Sequence, residues 1–147
     1  MEGHMTPMPE PIRLVETIAS YHAHVYFEGP DERAAAECLR AAIADRFAVR
    51  LGRWHEVPVG PHTLPMYQVA FDTTLFATLV PWLMLNHQGL SILIHPNTRF
   101  PRRDHMRDGV WLGQRRALLA ERVPESAPEA DGAGLPNTRP GSQETAD

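Results

Sequence analysis

Of the 8 histidines in this 147-residue chain, two alternate in the run SYHAHVYF, Ser20 to Phe27. His22 and His24 are two residues apart in an extended pattern, so they share one face of a strand. Imidazole is the usual ligand for zinc, iron and copper, and three histidines, or two with a carboxylate, leave coordination positions open for a substrate. A His-x-His pair by itself is more often a strand surface than a site. A third imidazole brought close by the fold changes that balance, and His95, at the end of LSILIH, is the candidate. Glu28, Glu56 and Asp104 are candidate carboxylates that spacing does not rank. His62 follows Gly-Pro in a turn, and loops beside a rigid sheet commonly hold catalytic groups. The Asp104-His105 pair could orient or complete the site, although Asp104 reads equally well as a helix cap. Arg53 and His55 are candidates for a substrate carboxylate. His87, near a helix end, reads as structural.

The elements that must position these residues follow from changes in hydrophobic period. Tyr21, Ala23, Val25 and Phe27 form the apolar face of a first strand, and Gly29-Pro30-Asp31 ends it. Ala35, Cys38, Leu39, Ala42, Ile43 and Phe47 recur at helical spacing from Asp31 to Phe47, with Cys38 read as a small buried side chain. Val49 to Val57 reads as extended, and MYQVAF (Met66 to Phe71) as another strand. A second helix carries Leu75, Phe76, Leu79, Val80 and Leu83, with a kink or restart expected at Pro81. Gly89 terminates it and LSILIH is strongly β-forming. A final helix is expected from about Asp104 to Arg122. The order β-α-β-β-α-β plus a C-terminal helix predicts an α+β, ferredoxin-like antiparallel sheet. There the first and last strands are antiparallel neighbours, so the start of one meets the end of the other. Strand parity then sends His22, His24 and His95 to the open face, where three imidazoles converge.

Composition narrows the function classes. A net charge of −4, with 14 basic residues that are all arginine, provides no basic field for nucleic acid. The apolar run Leu75 to Leu85 contains Pro81 and is too short to span a bilayer. Cys38 is the only cysteine, which favours a reducing, cytoplasmic setting. Residues 1–11 and 124–147 have the composition of disordered ends, leaving 12–123 as the working domain. An open apolar sheet face needs a cover, which predicts a homodimer.

The runs YHAHVYF at 21–27, LGRWHEVPVGPH at 51–62, MYQVAF at 66–71, PWLMLNHQGLSILIHPNT at 81–98 and DH…WLG from 104 to 113 together resemble the DOPA 4,5-dioxygenase family of fungi and bacteria. The likeness spans most of 20–119 and departs at Arg99, where the family's turn more often has glycine. The resemblance implies a ferredoxin-like fold, a dimer, and extradiol cleavage of an L-DOPA-type catechol by O2. It implies non-haem Fe(II), with another divalent metal such as Zn as the alternative. Neutral nitrogen ligands leave positions for both catechol oxygens and dioxygen. On this reading His22, His24 and His95 hold the metal, and His62 or His105 is the acid–base group. Arg53, His55 and Gln68 are the candidate substrate contacts. Two other classes compete: a metal-free enzyme acting on phenols on the same scaffold, and a non-catalytic dimeric protein that binds a small ligand or a metal.

Overall fold

A computed structural model describes residues 6–141; the ends expected to be disordered therefore lie partly outside the described residues, at 1–5 and 142–147. The elements are β1 (Ser20–Tyr26), α1 (Gly29–Arg46), β2 (Arg50–Leu51), β3 (Met66–Phe71), α2 (Phe76–Asn86), β4 (Ile92–Asn97), α3 (Pro101–Met106) and β5 (Val110–Leu112). The antiparallel sheet has the order β2-β3-β1-β4-β5. The first four strands are ordered as the ferredoxin-like reading requires, with β5 added outside β4.

One face of the sheet takes the helices. Ala23, Val25, Tyr67, Val69, Phe71, Ile92 and Ile94 point to it and pack with Ala36, Leu39 and Ile43 of α1 and with Leu79, Val80 and Leu83 of α2. Each fully buried aliphatic side chain here contributes about 1.5–3 kcal/mol of hydrophobic stabilisation. The stripe of α1 is centred on Ala36, Leu39 and Ile43, which turns Cys38 outward; the cysteine is exposed, not buried as expected. Helix α2 runs through Pro81 without a break. Pro81 is exposed while Leu79, Val80 and Leu83 are buried around it, so packing holds the helix across the missing N–H.

Two expected elements came out differently. The stretch 49–57 forms only the two-residue β2 and an isolated bridge between His55 and Met66. The expected helix from Asp104 to Arg122 is instead the short α3, the edge strand β5 and a 3-10 turn at Ala120–Arg122. Two glycines explain the change. A Cβ on Gly109 would stand 2.9 Å from Leu93 Cδ1, and one on Gly113, at φ +69°, would stand 2.5 Å from the Leu90 carbonyl oxygen. At Gly113 the chain lies too close to the β4 side for anything but glycine, and at Gly109 a side chain would have to displace Leu93, so the segment between them is held as a strand against the sheet.

The opposite sheet face is covered within the single chain, so it does not provide the exposed apolar face from which a dimer was expected. Tyr26, Met66 and Leu93 are buried there, with Val59, Leu64, Trp111 and Leu118 packed over them. Among the described residues beyond Pro124 there is no regular element, yet residues 124–141 follow the body. Ala127 N–H donates to the Arg99 carbonyl at 2.8 Å, and Ser20 Oγ donates to the Asp131 carbonyl at 2.5 Å. Asn137 then pairs with the edge strand: Leu51 N–H donates to Asn137 Oδ1 (2.8 Å) and Asn137 Nδ2 donates to the Leu51 carbonyl (2.9 Å). A side-chain amide thereby occupies the groups that an exposed strand edge would offer to another chain.

Candidate metal centre

β1 and β4 lie side by side in a register that sets His22 directly opposite His95 and His24 opposite Leu93. With Tyr26 and Leu93 buried on the face away from the helices, strand parity brings the three histidines to that face too. One ring nitrogen from each of His22, His24 and His95 lies within 4.8 Å of the other two, close enough to share one ion. His24 Nε2 and His95 Nε2 are 3.0 Å apart. Two metal–nitrogen bonds of about 2.1 Å meeting at a right angle would separate their nitrogens by about 3.0 Å. His95 Nδ1 donates to the Pro96 carbonyl at 2.8 Å, which leaves the lone pair on Nε2, where a ligand needs it. His24 Nδ1 is buried with no hydrogen-bond partner among the described residues. Three imidazoles, one already oriented from behind, suit a divalent transition metal.

Two further imidazoles complete the cluster. The ring centroid of His62 is 4.3 Å from that of His24, and His105 is 3.9 Å from His95. Loop contacts hold His62 in place: Leu119 N–H donates to the Pro61 carbonyl at 2.8 Å, Thr63 Oγ1 donates to the Ala117 carbonyl at 2.8 Å, and His62 bridges to Leu118. His62 Nδ1 meets the Tyr26 hydroxyl at 2.7 Å. His105 Nδ1 donates to the Pro101 carbonyl one turn back in α3, at 2.7 Å, leaving its Nε2 as the acceptor.

Burial keeps all five rings neutral. It holds His22 at about 4 and His62 at about 4, with His105 adding to the effect on both and Asp131 opposing it on His22. His24 and His95 lie well below the usual imidazole range, again chiefly through burial and secondarily through the neighbouring histidines. His105 is lowered by burial, against the Pro101 carbonyl and Asp104. Neutral imidazole is the ligating form, so no proton need be displaced from these residues near neutral pH.

Of the candidate substrate contacts, Gln68 lies across from His24 on β3, on the histidine face. His55 is close enough to His62 to lower its pKa further. Arg53 is exposed and is not drawn into the cluster. None of the three candidate carboxylates is among the histidines. Glu56 pairs with Arg33 and accepts from Trp54 Nε1 at 2.8 Å, and Glu28 faces Arg116. Buried Asp104 does not cap the helix: it accepts from Thr98 N–H and Thr98 Oγ1, both at 2.7 Å, and so ties the turn after His95 to α3.

Sequence reasoning missed three contributors. Tyr26 shares the strand face of His22 and His24 by parity, but a lone phenol there carries no signal that gives it a role at the site. Trp111, which stacks on Tyr26 at 5.6 Å, depends on β5, which the expected helix concealed. Asp131, 3.4 Å from His22 Nε2, lies in the segment set aside as a tail, and no local signal marks it. A cleft of about 500 Å³ reaches the cluster from this side, between His22, Thr98, His105 and residues 127–132. A second, of about 440 Å³, reaches His105 past Trp111, Arg115 and Leu118.

The chain is similar to known proteins over most of its length. Residues 21–122 match the Dopa 4,5-dioxygenase family. A DOPA 4,5-dioxygenase of Amanita muscaria is 32% identical over 124 residues, covering 79% of this chain and 54% of that protein. An uncharacterized 21.2 kDa protein of Botryotinia fuckeliana is 34% identical over 110 residues, 67% of this chain and 60% of that one. The chain thus spans little more than half the length of these curated relatives. A crystal structure from Nostoc punctiforme, of a protein provisionally named a dioxygenase, superposes with a TM-score of 0.73 at 46% identity, over 75% of this chain and 95% of that one. The histidines that converge on the sheet all fall inside the matched region, and the chain belongs to the Dopa 4,5-dioxygenase family.

Proposed function

We propose that this protein is an extradiol dioxygenase that opens the ring of L-DOPA or a related catechol with O2, using Fe(II) held by His22, His24 and His95. The observation that carries this reading is the convergence of three neutral ring nitrogens within 4.8 Å on a cleft-lined face, in a chain of this family. The bound iron would supply the redox chemistry that joins dioxygen to the catechol.

The chain's own residues divide the proton work between two histidines. His105 keeps a proton on Nδ1 for the Pro101 carbonyl, so its Nε2 is the base that accepts a catechol hydroxyl proton. His62 is its complement. Burial raises the Tyr26 phenol far above its usual range, so Tyr26 keeps its proton and donates it to His62 Nδ1, which leaves His62 Nε2–H as a donor toward the cluster. His105 takes up the proton and, once protonated, returns it to the same substrate, while His62 Nε2–H donates a hydrogen bond to the oxygen that gains charge. Gln68, beside His24, and His55, near His62, would contact the substrate, with Arg53 at the outer rim. A cytoplasmic setting and a homodimer belong to the same reading. The lone cysteine supports the first, and the exposed Ile12, Leu14 and Val15 would provide a surface for the second.

Anaerobic loading with Fe(II), followed by L-DOPA or caffeate and then air, is expected to give a yellow ring-opened semialdehyde with matching oxygen uptake. His95→Ala should lose both the metal and the colour. Absence of oxygen uptake with every catechol tried would overturn the assignment. Bound metal without turnover would leave a metal-binding protein.

A further inference from the structure

We propose that the C-terminal segment belongs to the metal centre and that its Asp131 is the acidic partner of the ion held by His22, His24 and His95. The inference rests on the reading that these histidines bind a metal. It goes beyond that reading because Asp131 lies outside residues 21–122, the part of the chain that matches the family. The catalytic domain expected from the sequence had no carboxylate at the cluster, and each of its three candidates is committed elsewhere.

Three observations place Asp131 there. Its Oδ2 lies 3.4 Å from Nε2 of His22. Its backbone is fixed, because Ser20 Oγ donates to the Asp131 carbonyl and Ser20, fully buried, is itself held by Asn97 Nδ2 at 2.9 Å. Ser20 and Asn97 are opposite one another in the β1–β4 register, two residues from the His22–His95 pair, so the anchor is built on the same strands as the ligands. The Asp131 side chain, in contrast, is 69% exposed and has no hydrogen bond among the described residues, so its carboxylate can turn toward a cation. Three neutral imidazoles leave the full charge of a divalent ion unbalanced in a buried site, and a carboxylate at the rim would offset part of it. Asp131 stands at the edge of the cluster, not inside it, which suits a partner that yields when substrate enters the cleft of about 500 Å³ that it helps to wall.

The test is metal affinity, read without turnover. Co(II) and Zn(II) binding to the full chain would be measured by visible absorption and by competition with a chelator, for the wild type, Asp131→Asn and Glu129→Gln. Asn keeps the main-chain contact to Ser20 and removes only the charge. Glu129 lines the same cleft wall and controls for general electrostatics. Asp131→Asn is expected to bind about ten- to a hundredfold more weakly and to change the Co(II) absorption, as does removal of an outer partner from other metal sites. Glu129→Gln should match the wild type, and the Asp131 effect should persist in high salt. Equal affinity of Asp131→Asn and the wild type overturns the proposal, as does an equal loss in Glu129→Gln. If the wild type binds neither metal, the metal reading itself fails, and that outcome is distinct from both.

Discussion

Tyr26 and His62 form the contact on which most of the proposed chemistry depends, because the phenol decides which nitrogen of His62 carries its proton. Tyr26→Phe preserves the ring that stacks on Trp111 and deletes one oxygen, leaving His62 Nδ1 buried and unpaired. An unmet buried polar group costs about 1–3 kcal/mol, and a misplaced acid–base proton costs about a hundredfold in rate. The variant is therefore expected to bind metal with wild-type stoichiometry but to turn over about a hundredfold more slowly, measured as initial oxygen uptake. Unchanged turnover would remove His62 from the proton chemistry. The histidines themselves were legible in the sequence because period-two parity is enforced by the pleat, and His22 and His95 do meet as the strand order requires. Asp131 was not legible: what places it is a hydrogen bond to a serine 111 residues away in sequence.

At the scale of elements, β1, α1, β3, α2 and β4 announce themselves through apolar period, and each forms there with ends shifted by about two residues at most, as where β4 runs Ile92–Asn97. The region after β4 does not, because Val110, Trp111 and Leu112 are too few to show a period and their strand exists only through contact with β4. Gly109 and Gly113 are what permit that contact, and they should differ in consequence. Gly113→Ala must accept a positive φ and a Cβ against the backbone oxygen of Leu90, whereas a Cβ at Gly109 first meets the end of the Leu93 side chain, which can move. Gly113→Ala is expected to destabilise the protein by about 2 kcal/mol or more, and Gly109→Ala by clearly less, in urea unfolding. The reverse ranking would show that β5 is not held by this approach. Pro96 sits within β4 at no cost to the β5 ladder, since β5 pairs only with Ile92, Leu93 and Ile94.

The whole molecule buries several imidazoles in one place, and this couples its stability to pH. His22 and His62 titrate at about 4 in the folded chain and near 6.5 when unfolded, and His24, His95 and His105 are shifted the same way. Lowered histidine values mean that the unfolded state binds more protons as the solution is acidified. The stability is therefore complete above about 6.5 and is lost as pH falls toward 4. At about 1.4 kcal/mol per unit, His22 and His62 alone would each remove roughly 3 kcal/mol by the bottom of that window. Buried Asp104, raised by its own desolvation, gives back a smaller part in acid. The metal-free protein should thus melt at steadily lower temperature from pH 6.5 to 4.5, and bound metal should be released over the same range as protons compete for the rings. A melting temperature flat across that interval would contradict the buried, neutral cluster.

The path of residues 124–141 also sets an order of events in biosynthesis. The sheet, both helices on it and all the clustered histidines are complete in sequence by Leu112, whereas the cleft wall at 127–132 and the Asn137 clasp on β2 come later. A nascent chain folds from its N-terminal side, so a body with its imidazoles assembled and one side still open precedes the closed form. In such a body the cluster would lie open on the side that residues 127–132 wall. A cation bound by the histidines would therefore enter and leave most readily in states where residues 124–141 have detached from the body.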